Sequence, residues 1–289
     1  MTKKARFKAH LQTLDKIGTM MTAMRNLSFI EMNRVTKCLA TQEKMNAMIQ
    51  QIGIDFLSSY PQLLAQMEVV ESNVYILIGA ERGFCGSFND NLIRYLETHL
   101  VHHSIKNPKI IIVGQKLAAK MMDDQRVIQV IAGPNTVDEI SNIILNVINA
   151  LTLVFTEFKL STWNIIFNKK IKTRVEATVK QPFTEFKNIK KSDFKISPQL
   201  NLSDQQFMIE LMNQYVFFML YSLFYQSFFA ENYNRANHLD SALERLQKKV
   251  TCLTHSINLL RQEEVTQEIQ NIMLSTQIIL EEIHNEIGS

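Results

Sequence analysis

Glycine and proline are scarce in this chain, eight and five in 289 residues, and between Pro198 and Gly288 there is neither. That absence removes the two residues that stop or kink helices. The stretch is predicted to run as one helix, roughly 130 Å long at about 1.5 Å per residue, wider than a compact domain. Cysteine is nearly lacking too: Cys38, Cys85 and Cys252 are odd in number, far apart and in no CxxC pair. This excludes a disulfide framework and points to a reducing compartment. No excess of one charge is present, the formal net charge being +3, so the footprint of a nucleic-acid partner is missing. The basic start, Met1 to Lys8, is followed by Gln12, Asp15 and Lys16 rather than by an apolar run. No secretory signal is expected, and the cytosol is the default location.

Catalytic signatures are equally thin. The seven histidines form no HExxH and no Cys/His zinc spacing, and His99 and His103, one helical turn apart, read as a solvated face. The one glycine cluster, Gly79-Ala80-Glu81-Arg82-Gly83-Phe84-Cys85-Gly86, follows a strand and precedes a helix expected to start near Asn89. It has the position of a phosphate loop but neither GxGxxG nor the lysine and hydroxyl of a P-loop. A tight strand-to-helix turn is the expectation there. Cys85 lies near the start of that helix, but no neighbouring histidine could act as its base. No catalytic, cofactor-binding or metal-ligating residue is assigned.

What the chain does have is periodicity. Leu239, Leu243, Leu246, Val250, Leu253, Ile257 and Leu260 recur at steps of four and three, the spacing of a coiled-coil seam. Leu11, Leu14, Ile17, Met21 and Met24 repeat the pattern near the other end. Between them the β-branched runs Val74–Ile78, Lys109–Val113 and Trp163–Phe167 alternate with helical segments, which predicts a small α/β sheet covered on both faces. The fold class expected is therefore α/β, with two long terminal helices in an antiparallel coiled coil around a central Rossmann-like domain. The parts are 1–65, the N-terminal coiled-coil helix; 66–198, the central α/β domain; and 199–289, the C-terminal coiled-coil helix. At 46% hydrophobic and 20% charged residues the chain can build a core.

One segment competes with a soluble reading. Leu211 to Ala230 carries no formal charge and holds eight aromatic residues, among them Tyr215, Phe218, Tyr221 and Phe224. Its length would allow a bilayer crossing, but Asn213, Gln214, Ser222, Gln226 and Ser227 are spread through it. Burial against the α/β domain is the expectation.

Several motifs together resemble a family. Glu231-Asn232-Tyr233-Asn234-Arg235-Ala236, then Asp240 and Ala242, then Asn258 through Ile269 are similar to the C-terminal helix of gamma subunits of F-type (rotary) ATP synthases. Glu81 through Asn89 resembles the DRGLCGGLN element of that family, and Thr22-Ala23-Met24 the end of its KITKAM segment. The matches span nearly the whole chain in the family's order. Departures occur where members have small residues: Leu27, Phe29 and Ile30 follow Met24, and Ser275-Thr276-Gln277-Ile278 replaces a Gly-Ala-rich tail. The bulky residues are expected to widen or rearrange the local helix packing. The form of the first helix is similar to the divergent, sometimes sodium-linked branch.

The resemblance implies a central rotor shaft that couples the flow of protons or sodium ions through a membrane ring to ATP synthesis or hydrolysis in an alpha/beta head. It implies a non-catalytic subunit with the alpha and beta subunits, the epsilon subunit and the c-subunit ring as partners, held peripherally at the cytoplasmic face of a bacterial inner membrane. Carried over by motif, the residues facing the beta subunit are Met24, Arg261, Gln262, Thr266 and Glu268. Setting Met24 level with Arg261 places Leu11 opposite Leu274 and leaves Ile278–Ile287 as a free tip. The alternatives are a nucleotide-binding α/β enzyme and a coiled-coil tethering protein.

Overall fold

The computed structural model describes residues 3–60, 62, 73–157, 163–186 and 199–287. Two long helices, α1 (Lys3–Ser59) and α5 (Asp204–Ile287), flank a five-stranded sheet. The sheet comprises β1 (Val74–Ile78), β2 (Lys109–Val113), β3 (Val127–Ile131), β4 (Trp163–Ile171) and β5 (Arg174–Lys180). Its order is β3-β2-β1-β4-β5. The first three strands and β4 pair in parallel, and β5 returns antiparallel from β4.

The three predicted strands are the three at the centre, because only a strand buried on both faces needs an unbroken apolar run. All five residues of β1 are buried. The edges, β3 and β5, escaped the sequence reading. They face water on one side, and Arg174-Val175-Glu176-Ala177-Thr178-Val179-Lys180 shows the weaker alternating signal of a half-covered strand.

Each face of the sheet has its own core. On one, Tyr75, Leu77, Ile110, Ile112 and Ile166 meet α2 (Phe88–His102) and the short α3 (Gln115–Ala118). Helix α2 presents Phe88, Leu92, Leu96 and Leu100, one residue per turn, all buried. On the other, Ile76, Ile78, Ile111, Val113, Ile165 and Phe167 meet α4 (Ile140–Glu157) together with parts of α1 and α5. The helix of glycine-loop exit begins at Phe88, one residue from its expected start.

The aromatic stretch of α5 belongs to this second core. By length and composition α5 could cross a bilayer, but Tyr215, Met219, Leu220, Phe224 and Phe228 are buried in protein. At about 1.5–3 kcal/mol for each large apolar side chain, this face is a main source of the domain's stability. Phe224 is fully covered, Tyr221 packs against the same core, and Phe218 is half-buried against Phe217. Tyr215 is further fixed by Phe186, ring centres 5.0 Å apart, and by a hydrogen bond of 2.9 Å donated to Glu185.

Packing divides the chain into two compact units that cut across both long helices: residues 1–25 with 239–289, and residues 26–238. In the first, α1 and α5 run antiparallel. Lys4 pairs with Glu264, and Arg25 with Asp240 at 2.9 Å. Every residue of the predicted α5 seam, Leu239 to Leu260, is buried or half-buried between more exposed neighbours. On α1, Leu11, Leu14 and Met21 are half-buried as expected, but Ile17 is 41% exposed and Gly18 takes the inward position. A Cβ at Gly18 would lie 3.3 Å from Leu246 Cδ2, so the helices approach closely there.

One expectation needs correction. The register differs: Lys4 and Arg25 find partners about 20 residues nearer the start of α5 than a Met24–Arg261 match would give, roughly 30 Å along the helix. Leu11 is therefore not opposite Leu274. The bulky residues Leu27, Phe29 and Ile30 are turned outward, 40%, 43% and 53% exposed, while Ser28 and Glu31 turn inward. The expected free tip Ile278–Ile287 is helical in backbone, but its side chains lie outside the described residues.

Gly53 tests the packing of α1. Replacing a mid-helix glycine by alanine ordinarily gains up to about 1 kcal/mol. Here the added Cβ would lie 2.7 Å from the ring of Phe186, itself buried. Gly53→Ala is expected to destabilise the protein by about 1–3 kcal/mol, as read by urea denaturation. A stabilised variant would refute this packing.

Candidate functional site

The glycine cluster is the obvious place to look for bound phosphate, since doubly wound sheets hold ligands beyond the C-terminal ends of their strands, where the strand order reverses. In this sheet the reversal lies between β1 and β4. The chain's own groups occupy that crevice. Ser227 of α5 donates to the carbonyl of Ile78 at 3.3 Å, Asn168 of β4 donates to the carbonyl of Phe88 at 2.9 Å, and the N–H of Ala80 donates to Asn89 Oδ1 at 3.0 Å. Beside it, Glu81 Oε2 accepts the backbone N–H groups of Gln115 at 2.9 Å and Gly133 at 2.7 Å. A carboxylate thus uses donors of the kind a phosphate would need. Beside these contacts a cavity of about 610 Å³, lined by the loop from Gly83 to Ser87 with Lys116, Lys120 and His238, stays open.

The loop is held instead by α5. Arg235 is buried and ion-paired with buried Glu231 one turn earlier on the same helix. Its guanidinium also donates to the carbonyls of Gly83 at 3.1 Å and Arg82 at 3.3 Å, and to Asn232 Oδ1 at 3.0 Å. Every edge of the planar fork is engaged. Burial pushes the Glu231 carboxyl upward and the neighbouring Arg235 opposes that shift. Cys85 sits inside the same clasp, 5% exposed, its thiol directed at the Arg82 carbonyl. Burial and the Glu231 charge push the thiol up, which makes it a poor nucleophile. Both motifs are visible in the sequence, but their contact is not. Arginine and glutamate four apart in an apolar helix segment were the available signal, because such charges are rarely buried unpaired.

The residues carried over as partner contacts lie in the other unit. Arg261, Gln262, Thr266 and Glu268 are all exposed on α5, and Thr266 returns a hydrogen bond to the Gln262 carbonyl at 2.8 Å. Among the described residues, everything from Arg261 to Thr276 is exposed. This includes Val265, Ile269, Ile272 and Met273, at 47%, 53%, 64% and 67%. Steps of four, three and one keep these apolar side chains close to one helical face, an arrangement that in water calls for a partner. Met24 is half-buried on α1. It stands next to Arg25, whose partner is Asp240, so it is not brought together with Arg261.

Comparison with known proteins gives this arrangement a context. A family model described as ATP synthase matches residues 4–277. The ATP synthase gamma chain of Desulforamulus reducens is 27% identical over 232 residues, 75% of this chain and 76% of the relative. That of Fusobacterium nucleatum is 22% identical over 273 residues, covering 92% and 95%. Among solved structures, a chain from the rotor of Euglena gracilis mitochondrial ATP synthase superimposes with a TM-score of 0.63 at 12% identity, over 91% of this chain and 98% of that one.

Loss of the clasp should be measurable. Arg235→Ala strands a buried carboxylate and frees two loop carbonyls, so a loss of about 3–5 kcal/mol is expected. In a background where Cys38 and Cys252 are replaced by serine, Cys85 should react faster with a thiol reagent in the variant. Unchanged Cys85 protection would mean that Arg235 does not hold the loop.

Proposed function

Because the chain belongs to the ATP synthase gamma-chain family, we infer that it serves as the central rotor shaft of an F-type ATP synthase/ATPase. Its partners are the alpha and beta subunits of the catalytic head, the epsilon subunit and the c-subunit ring. It is a non-catalytic subunit at the cytoplasmic face of a bacterial inner membrane, held there through the complex. The observation that carries this reading is the exposed run Arg261–Thr276 on α5, polar and apolar side chains together, in a chain whose central strand β1 is hydrogen-bonded at its end to the same helix. A surface of that kind is built to be covered by other subunits.

Coupling follows from differential contact. Two unlike helices have no threefold symmetry, so within a ring of three chemically identical catalytic sites they touch each site differently at any instant. A contact that differs between states by about 1.4 kcal/mol changes their population ratio tenfold. Arg261, Gln262, Thr266 and Glu268 provide such contacts to the beta subunit. Arg261 offers a planar fork to a carboxylate, and Glu268 accepts from a backbone or side-chain donor. Met24 makes its own contact from α1, at a different height.

Two measurements test this. A bead attached to Val101→Cys, a position 79% exposed on α2, with Cys252 replaced by serine, should rotate during ATP hydrolysis by the reconstituted complex. The chain alone should hydrolyse nothing. A stationary bead during turnover, or hydrolysis by the isolated chain, would end the shaft assignment. Separately, alanine at both Arg261 and Gln262 should leave the isolated chain's melting unchanged, since alanine is the best helix former. In the complex, loss of a charge-assisted contact of about 1.5–3 kcal/mol should slow turnover or weaken coupling. Normal hydrolysis and ion pumping by the double variant would remove these two residues from the contact set.

A further inference from the structure

The last turn of α2 and its C-cap together carry three histidines that the shaft function does not use. His99 and His103 are stacked along one face of the helix end, ring centres 4.4 Å apart and planes inclined by 44°. His102 lies with its ring centre 5.0 Å from that of His103, turned 62° to it. We propose that His99 and His103 together bind one divalent transition-metal ion of the copper–nickel–zinc group, with water completing its coordination.

Spacing is the first argument. Two imidazole nitrogens about 2.0 Å from one ion in neighbouring coordination positions put their ring centres roughly 4.5 Å apart, close to the separation already present. The helix thus already holds the two rings at the separation that ligands about 90° apart require, which limits the conformational entropy lost on binding.

His99 is pre-set by its surroundings. It packs edge-on to Tyr75, ring centres 5.8 Å apart, and stacks on Tyr95 at 6.2 Å. His103 is anchored through its backbone, whose N–H donates to the His99 carbonyl at 3.1 Å, while its ring is exposed to incoming ions.

The field points the same way. The pair sits at the C-terminal end of α2, a 15-residue helix, where the helix dipole gives a partial negative charge that favours a cation. Among the described residues no three His, Cys, Asp or Glu side chains converge on one point. The site is thus open and two-liganded, and imidazole pairs suit copper(II), nickel(II) or zinc(II) rather than magnesium or calcium. A bound ion would clip the final turn of α2 by joining residues one turn apart.

The full-length chain with Cu2+ is the direct test, followed by electron paramagnetic resonance and a thermal melt. One ion per chain with the hyperfine signature of two nitrogens is expected, together with a raised melting temperature. His103→Gln should abolish both, and this exposed position leaves the core intact. His99→Gln should do the same, whereas His102→Gln should keep the signal. His10, His238, His255 and His284 are present in all variants and control for binding elsewhere. The assignment is overturned if wild-type protein takes up no more Cu2+ than the His99→Gln/His103→Gln double variant. It is equally overturned if His103→Gln retains the two-nitrogen signal, or if only His102→Gln loses it.

Discussion

A helix of 84 residues without glycine or proline cannot fold back to hide its own apolar surface, so each stretch of α5 must find separate cover. Residues 211–228 find it on the sheet and α4. Leu239 to Leu260 find it in the first turns of α1. From Arg261 to Thr276 the described side chains are exposed. The composition changes to match: large aromatics where a flat sheet must be covered, a four-three seam where a single helix is the neighbour, and mixed polar and apolar residues where the helix stands exposed.

Between the first two stretches lies the Glu231–Arg235 pair. Burying two charges is costly, and such pairs commonly contribute little net stability. This one also satisfies two loop carbonyls and one asparagine. Its effect is to fix a single position of the glycine loop on α5, because any shift would leave a charge or carbonyl unpaired. The Rossmann-like sheet thereby serves as a mount for a helix, held through its glycine loop and its apolar face.

A coupling role asks for these properties. A shaft that is to impose different contacts on identical sites must be internally asymmetric, resist sliding between its helices, and present its own contact surface uncovered. Asymmetry follows from the two unlike helices. Sliding is opposed by the close approach at Gly18 and Leu246 and by ion pairs at Lys4–Glu264 and Arg25–Asp240. Exposed pairs of this kind contribute little energy, but they mark the register.

The sequence by itself determined the class of element at almost every position. The missing glycines set the length of α5, the four-three spacing set its seam, and the β-branched runs located β1, β2 and β4, because each is a local pattern that burial demands of the chain. The resemblance of Glu81–Asn89 and Glu231–Ala236 to one family's motifs was equally legible. What only the tertiary structure decided were pairings at long range. The helix register shifted by about 20 residues from expectation, since a periodic seam repeats every seven residues and fits several alignments equally well. Edge strands β3 and β5, exposed on one side, had too weak a pattern to stand out. That Arg235 closes on the glycine loop, that Ile17 turns outward beside Gly18, and that Leu27, Phe29 and Ile30 face outward depend on which face meets which neighbour. A one-dimensional pattern fixes the spacing of such faces, and only the packed chain fixes what lies opposite them.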